Sequence, residues 1–139
     1  NDYLFFMAYD QHYTGSVPGP ISEQRWIEKE VDKIAKDVPS EKIVLCMAAY
    51  GYDWPDGDDA ETVTYQQALS LAKEFNATIN FDNDSYNCSF EYTDYNKIHH
   101  TVSFIDAGGN FNTMRFADEY STAGVALWRL GSEDERIWD

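Results

Sequence analysis

Three short apolar runs constrain this chain more than any other feature. They are Tyr3-Leu4-Phe5-Phe6-Met7-Ala8-Tyr9, Ile43-Val44-Leu45-Cys46-Met47-Ala48-Ala49-Tyr50 and Gly124-Val125-Ala126-Leu127-Trp128. An unbroken apolar run of this length suits a strand covered on both faces, the habit of parallel sheets. Between the first two lies a Gly- and Pro-rich loop, Gly15 to Pro20. A helix is expected next, from an N-cap at Ser22 to about Asp37, with Trp26, Ile27, Val31, Ile34 and Val38 on one face. Pro39 stops it. Strand, helix and strand at this spacing form one βαβ unit.

The texture then changes. Residues 53–62 read as an acidic, turn-rich loop, and Thr64 as the cap of a helix around Gln66–Phe75. Short runs near Thr78–Phe81, Ser89–Thr93 and Thr101–Phe104 predict a small antiparallel meander. A helix near Asn110–Ser121 leads to the last strand. The fold class is therefore α/β, with three parallel strands and a small α+β insertion. Three such strands alone leave apolar edges and faces exposed, so the pattern reads as part of a larger parallel architecture, its pieces spanning 1–54, 55–106 and 107–139.

The 139 residues allow a real core. A net charge of −15 argues against nucleic acid or anionic membrane surfaces as partners. No apolar stretch approaches the roughly 20 residues that span a membrane. Cys46 sits in an apolar run and Cys88 in an expected polar loop; two cysteines suggest neither a disulfide framework nor zinc. His12, His99 and His100 lack metal-ligand spacing, since adjacent strand residues point to opposite faces. The acidic loop lacks the glycine-centred calcium pattern. No metal or cofactor is expected. Three glycosylation sequons, at Asn76, Asn83 and Asn87, are expected to be incidental.

Each apolar run ends in a polar or aromatic cluster: Met7-Ala8-Tyr9-Asp10-Gln11-His12, Tyr50-Gly51-Tyr52-Asp53-Trp54 and Trp128-Arg129-Leu130-Gly131-Ser132-Glu133-Asp134. Functional residues of (β/α)₈ barrels gather at this end of the strands. Met7-x-Tyr9-Asp10 resembles the motif ending the sixth strand of family 18 glycoside hydrolases, the chitinase-like family. Tyr50-Gly51 resembles the end of their seventh strand and Trp128 that of their eighth, and the insertion falls where many of them carry one. The resemblance covers essentially the whole chain. Tyr9-Asp10-Gln11-His12 with Pro18-Gly19-Pro20 further resembles a bacterial subgroup fused to polysaccharide deacetylase and glycosyltransferase domains.

The resemblance implies a partial (β/α)₈ barrel and a substrate-assisted retaining reaction on N-acetylglucosamine-containing polysaccharide. It implies that Tyr9 donates its hydroxyl to the N-acetyl group and that Asp10 hydrogen-bonds sugar hydroxyls or the N-acetyl region. Met7 and Tyr50 line the pocket, and Trp128 forms the stacking floor. The family's acid motif, Asp-x-x-Asp-x-Asp-x-Glu, has no counterpart here: Asp53-x-x-Asp56-x-Asp58 runs on into Asp59 and Ala60. The chain alone is therefore expected not to hydrolyse a glycosidic bond. A non-catalytic glycan-binding protein of the same fold is the alternative. Self-association, or association with a missing barrel half, is the structural reading, and an extracytoplasmic location follows from the family. Core packing is the competing role for Tyr9 and Trp128, and a turn for Asp10. Tyr52, Asp53 and Trp54 stand at even odds between cleft and protein contacts, while Phe90 and Tyr92 are expected to pack the sheet.

Overall fold

The computed structural model describes residues 2–139. Three strands, β1 (Leu4–Met7), β2 (Ile43–Ala48) and β8 (Gly124–Trp128), form a parallel sheet in the order β1-β2-β8. Helix α1 (Gln24–Ile34) joins β1 to β2, and Ile27 and Val31 bury fully against Ala8 and Leu45. At about 1.5–3 kcal/mol per buried aliphatic side chain, this face fixes the helix to the sheet. Ala117 of α3 (Ala107–Glu119) joins the same cluster.

A second sheet of five strands has the order β4-β3-β7-β6-β5, all antiparallel. Its members are β3 (Gly51–Pro55), β4 (Glu61–Val63), β5 (Asn80–Phe81), β6 (Cys88–Thr93) and β7 (His99–Phe104). Burial alternates along β6, with Cys88, Phe90 and Tyr92 inward and Glu91 and Thr93 outward. The inward set packs on Ala68 and Ala72 of α2 (Tyr65–Glu74) with Val102 and Phe104. Thr64 caps α2 as expected, with Gln67 completing a reciprocal capping box.

Several expectations are corrected. The stretch 53–62 is not an open loop: it contributes β3 and β4, and Asp53 is buried within β3. Its acidic composition hid a hairpin that is exposed at the turn Asp56–Asp59 and at Glu61 and Thr62 of β4. Cys88 opens a strand and is buried; it does not lie in a polar loop. Ser22 does not cap α1, because its hydroxyl donates to the Ala8 carbonyl at 2.7 Å, and the helix begins two residues later. Helix α3 starts at Ala107, ahead of the expected Asn110, because the Asp106 carboxylate accepts the Gly109 N–H and caps it. Asn87, one of the sequon asparagines, is buried; its amide accepts from Ile21 N–H and donates to Ser22 and Ser85 carbonyls, leaving no amide for a glycan.

The run Ile43–Tyr50 is not one strand. It leaves the parallel sheet after Ala48 and enters the antiparallel sheet at Gly51. A Cβ at Gly51 would lie 2.5 Å from Phe104 Cβ and 2.6 Å from the Ser103 carbonyl oxygen. Gly51→Ala is therefore expected to destabilise the chain by about 1–3 kcal/mol, read as a shifted denaturant midpoint with an unchanged m-value.

Candidate active site

The carboxyl ends of β1 and β8 face the outset of β3 across a cavity of about 380 Å³. Its lining is Tyr9, Asp10, Tyr50, Tyr52, Trp128 and Arg129 together with Thr62, Thr64, Gln67 and Ser132. Of the expected site residues, Tyr9, Asp10, Tyr50 and Trp128 come together here. Met7 does not line this cavity; it pairs with Cys46 one row deeper and is exposed on the free face of the parallel sheet.

Asp10 is the pivot. Its backbone is left-handed, with φ at 59°, a conformation that aspartate tolerates better than most residues. It lies three residues past the end of β1, and the Gln11 N–H donates to Ile21 O at 3.0 Å. One carboxylate oxygen, Oδ1, accepts from both the Tyr50 and the Tyr52 hydroxyls, the latter at 2.9 Å. Tyr50 and Tyr52 thus hold Asp10, so Tyr50 works through the carboxylate as well as through its wall position. Tyr9, Tyr50, Tyr52 and Trp54 form an edge-to-face and tilted aromatic row, with successive centroids 6.0, 5.6 and 5.5 Å apart. Trp54 ends the row in the core, donating to Tyr13 O at 3.1 Å, and is not a cleft residue. Tyr9 keeps a half-buried ring; among the described residues its hydroxyl has no partner. Burial, with the nearby Cys46 and Asp10, pushes its phenol pKa up, so it stays a donor at neutral pH. Trp128 is 57% exposed, with its indole open to the cavity.

The loop carrying Gln11 and His12 supports this arrangement. Gln11 exchanges two hydrogen bonds with Glu23, through the Glu23 carboxylate and its backbone N–H. His12 pairs with Pro20 O at 2.7 Å and packs so closely over Gly19 that a Cβ there would lie 2.6 Å from the ring. On the far side, the strap after Trp128 is structural. Asp134 accepts the Ala107 N–H at 3.0 Å and is clasped by Arg136, which also reaches Tyr65. Burial works against ionisation of Asp134, but Arg136 and the backbone donors outweigh it and hold its pKa low.

A second polar cluster lies behind β3. Asp53 accepts from Tyr92 at 2.6 Å and contacts His100 Nδ1 at 2.8 Å, while His100 Nε2 faces Asp94 at 3.3 Å. The Tyr92 ring stacks on His100 at 4.5 Å. Phe90 is core, and Tyr92 packs the sheet while its hydroxyl serves Asp53. The neighbouring His99 turns the other way, toward Asp56 and Glu91. Among the described residues, no group of three or more such side chains is placed to hold a metal.

Sequence reasoning left Tyr52 undecided and passed over Arg129, Thr62, Thr64, Gln67 and Ser132. The spacing of Tyr50 and Tyr52, two apart in a strand, was a usable signal. Arg129 and Ser132 belong to the strand-end cluster after β8, whereas Thr62, Thr64 and Gln67 reach the cavity only through the folding of β4 and α2, which no local pattern encodes.

A parallel sheet whose strand ends present tyrosine, aspartate and tryptophan to one cavity, beside an α+β unit, defines a chitinase-like α/β chain. The cortical fragment-lytic enzyme of Bacillus subtilis is 30% identical over 142 aligned positions, covering 99% of this chain and 33% of that protein. The solved spore cortex-lytic enzyme SleL of Bacillus cereus superposes with a TM-score of 0.89 at 29% identity, over 99% of this chain and 33% of that one. A chitinase from Chromobacterium violaceum gives 0.90 at 28% identity, over 99% and 43%. No protein-family model matches the chain. The chain spans about a third of the length of the cortical fragment-lytic enzyme it matches. Its homologues are thus glycosylases, cortex-lytic enzymes and chitinases, and it resembles part of a chitinase-like domain.

Burial, and then the hydrogen bond and charge of Asp10, push the Tyr52 phenol up to about 12. A phenol raised above its ordinary value of 10.0 contributes stability that is complete below that pH and lost as pH climbs through about 12. Asp10→Asn is expected to bring the Tyr52 titration down, as followed by phenolate absorbance with Tyr52→Phe as the assignment control. An unchanged titration would contradict the role given to Asp10.

Proposed function

We propose that this chain supplies the sugar-cradling side of a glycosidase cleft acting on N-acetylglucosamine-containing polysaccharide. The observation that carries this reading is the convergence of Tyr9, Asp10, Tyr50 and Trp128 on one cavity. The names of its relatives, cortex-lytic enzymes and chitinases, support a glycan substrate and an extracytoplasmic site of action.

In the proposed chemistry a carboxylic acid outside this chain protonates the leaving glycosidic oxygen. The substrate's own N-acetyl oxygen attacks the anomeric carbon as that bond breaks, giving an oxazolinium ion. Water then opens the ion from the face the leaving group vacated, returning its extra proton to the acid's conjugate base and retaining configuration. Intramolecular attack requires the amide to be held beside the anomeric carbon. Tyr9 suits this task as a free phenol donor, and Asp10 as a carboxylate already fixed by two tyrosines. An anionic Asp10 also favours the cationic oxazolinium. Trp128 offers an open face for the apolar side of the sugar ring.

The same reading accounts for the free face of the parallel sheet. Tyr3, Phe5 and Met7 are each at least 59% exposed, whereas the alternating Leu4, Phe6 and Ala8 turn toward the helices. We assign the cover of this face to further parallel strands of a (β/α)₈ barrel, because β1 and β8 both present open parallel edges and the relatives are much longer. Residues 1–50 and 107–139 then carry barrel strands, and the boundary expected after residue 54 moves to 50, because β3 pairs within the antiparallel sheet and belongs with the added α+β unit. If two copies cover each other instead, the sedimenting mass will rise with concentration. The glycan-binding alternative uses the same residues and differs only in the acid.

Titration with N-acetylglucosamine oligomers, followed by tryptophan fluorescence, tests the cleft. Saturable quenching is expected, with Trp128→Ala weakening binding by about 2 kcal/mol, roughly thirtyfold. Tyr9→Phe is expected to weaken N-acetylated oligomers while sparing deacetylated ones. A response that survives Trp128→Ala unchanged would place the sugar elsewhere.

A further inference from the structure

The cavity contains one cation. Arg129 follows the stacking tryptophan directly and is the only basic residue on the cavity wall. The chain has four arginines, and three of them face carboxylates: Arg25 faces Asp84, Arg115 faces Glu119 and Arg136 clasps Asp134. Arg129, among the described residues, has no ion pair, although acidic side chains outnumber basic ones 25 to 10. The one carboxylate sharing its cavity, Asp10, is already engaged by Tyr50 and Tyr52. The remaining polar lining, Thr62, Thr64, Gln67 and Ser132, is uncharged.

We propose that Arg129 is a specificity residue that selects a carboxylate-bearing N-acetyl sugar over its neutral counterpart. This rests on the reading that a sugar stacks on Trp128. A guanidinium grips a carboxylate through two parallel N–H···O bonds, a geometry that a hydroxyl cannot reproduce and lysine only partly replaces. The long side chain at the rim reaches a substituent projecting from the ring edge, while Thr62, Thr64 and Gln67 offer neutral partners to the sugar hydroxyls. A local cation is also what an anionic ligand needs here, because the net charge of −15 otherwise repels it.

The test compares three soluble probes on the 139-residue chain by tryptophan fluorescence. They are N,N′-diacetylchitobiose, the disaccharide of N-acetylglucosamine with N-acetylmuramic acid, and the methyl ester of that acid. Acid and ester share their shape and differ in charge, so their affinity ratio isolates the contribution of Arg129. The acid is expected to bind about tenfold tighter than the ester, with the preference shrinking as salt rises. Arg129→Gln is expected to bring the ratio close to one, and Arg129→Lys to leave an intermediate value. A ratio of one in the unmodified chain, or a preference unchanged by Arg129→Gln, would overturn this proposal and leave the cleft intact if chitobiose binds. If none of the three probes binds, the cleft itself falls and this proposal with it.

Discussion

The cavity depends on a two-residue step between the sheets. β2 ends at Ala48 in a parallel environment, and β3 begins at Gly51 in an antiparallel one. The residues between are pinned from both sides: Ala49 N–H donates to Trp128 O at 2.7 Å, and Tyr50 O accepts from Ile105 N–H at 3.3 Å. A step this short leaves little freedom in how one sheet sits against the other. It is also why Tyr50 and Tyr52 arrive at Asp10, a residue forty positions away in sequence. Gly51 is required at the step because Phe104 and the Ser103 carbonyl occupy the space a side chain would take.

Charge is handled differently on the two sides of β3. Toward the cavity, Asp10 is half of a device in which neutral phenols hold a carboxylate in place without neutralising it. Its negative charge therefore remains available to whatever occupies the cavity. Behind the strand, buried Asp53 meets Tyr92 and His100, and His100 also faces Asp94, so the polar groups there spend their capacity on one another. The first arrangement keeps a charge poised beside open space. The second locks β3 to β6 and β7, and so steadies the strand from which Tyr52 projects.

Much of the architecture was legible because the parallel strands are unbroken apolar runs, although within this chain only β2 is largely buried while β1 and β8 each leave two residues exposed. The three parallel strands, α1 and the capped α2 follow from such local signals. What escaped has a common cause. Asp53 sits among Asp56, Asp58 and Asp59, and composition cannot tell a buried acid with partners at positions 92 and 100 from its solvated neighbours. Ser22 is a good N-cap by type, but a strand carbonyl took its hydroxyl. Tyr9, Asp10 and Trp128 were readable as strand-end residues, whereas Arg129, named in the same strand-end cluster as Trp128, was given no role of its own.

The two units cannot be separated without losing the site. The parallel sheet contributes the aromatic and carboxylate groups, and the antiparallel sheet with α2 contributes Tyr52 and the hydroxyl and amide wall. The strap from Gly131 to Arg136 closes the circuit: Ser132 O accepts from Tyr65 N–H, while Asp134 joins the start of α3 to Arg136. A ligand filling this cavity would touch residues whose positions are fixed by both sheets, so its binding would report the packing of the whole chain. The α+β unit is therefore better understood as one wall of the cavity than as an appendage to the parallel sheet.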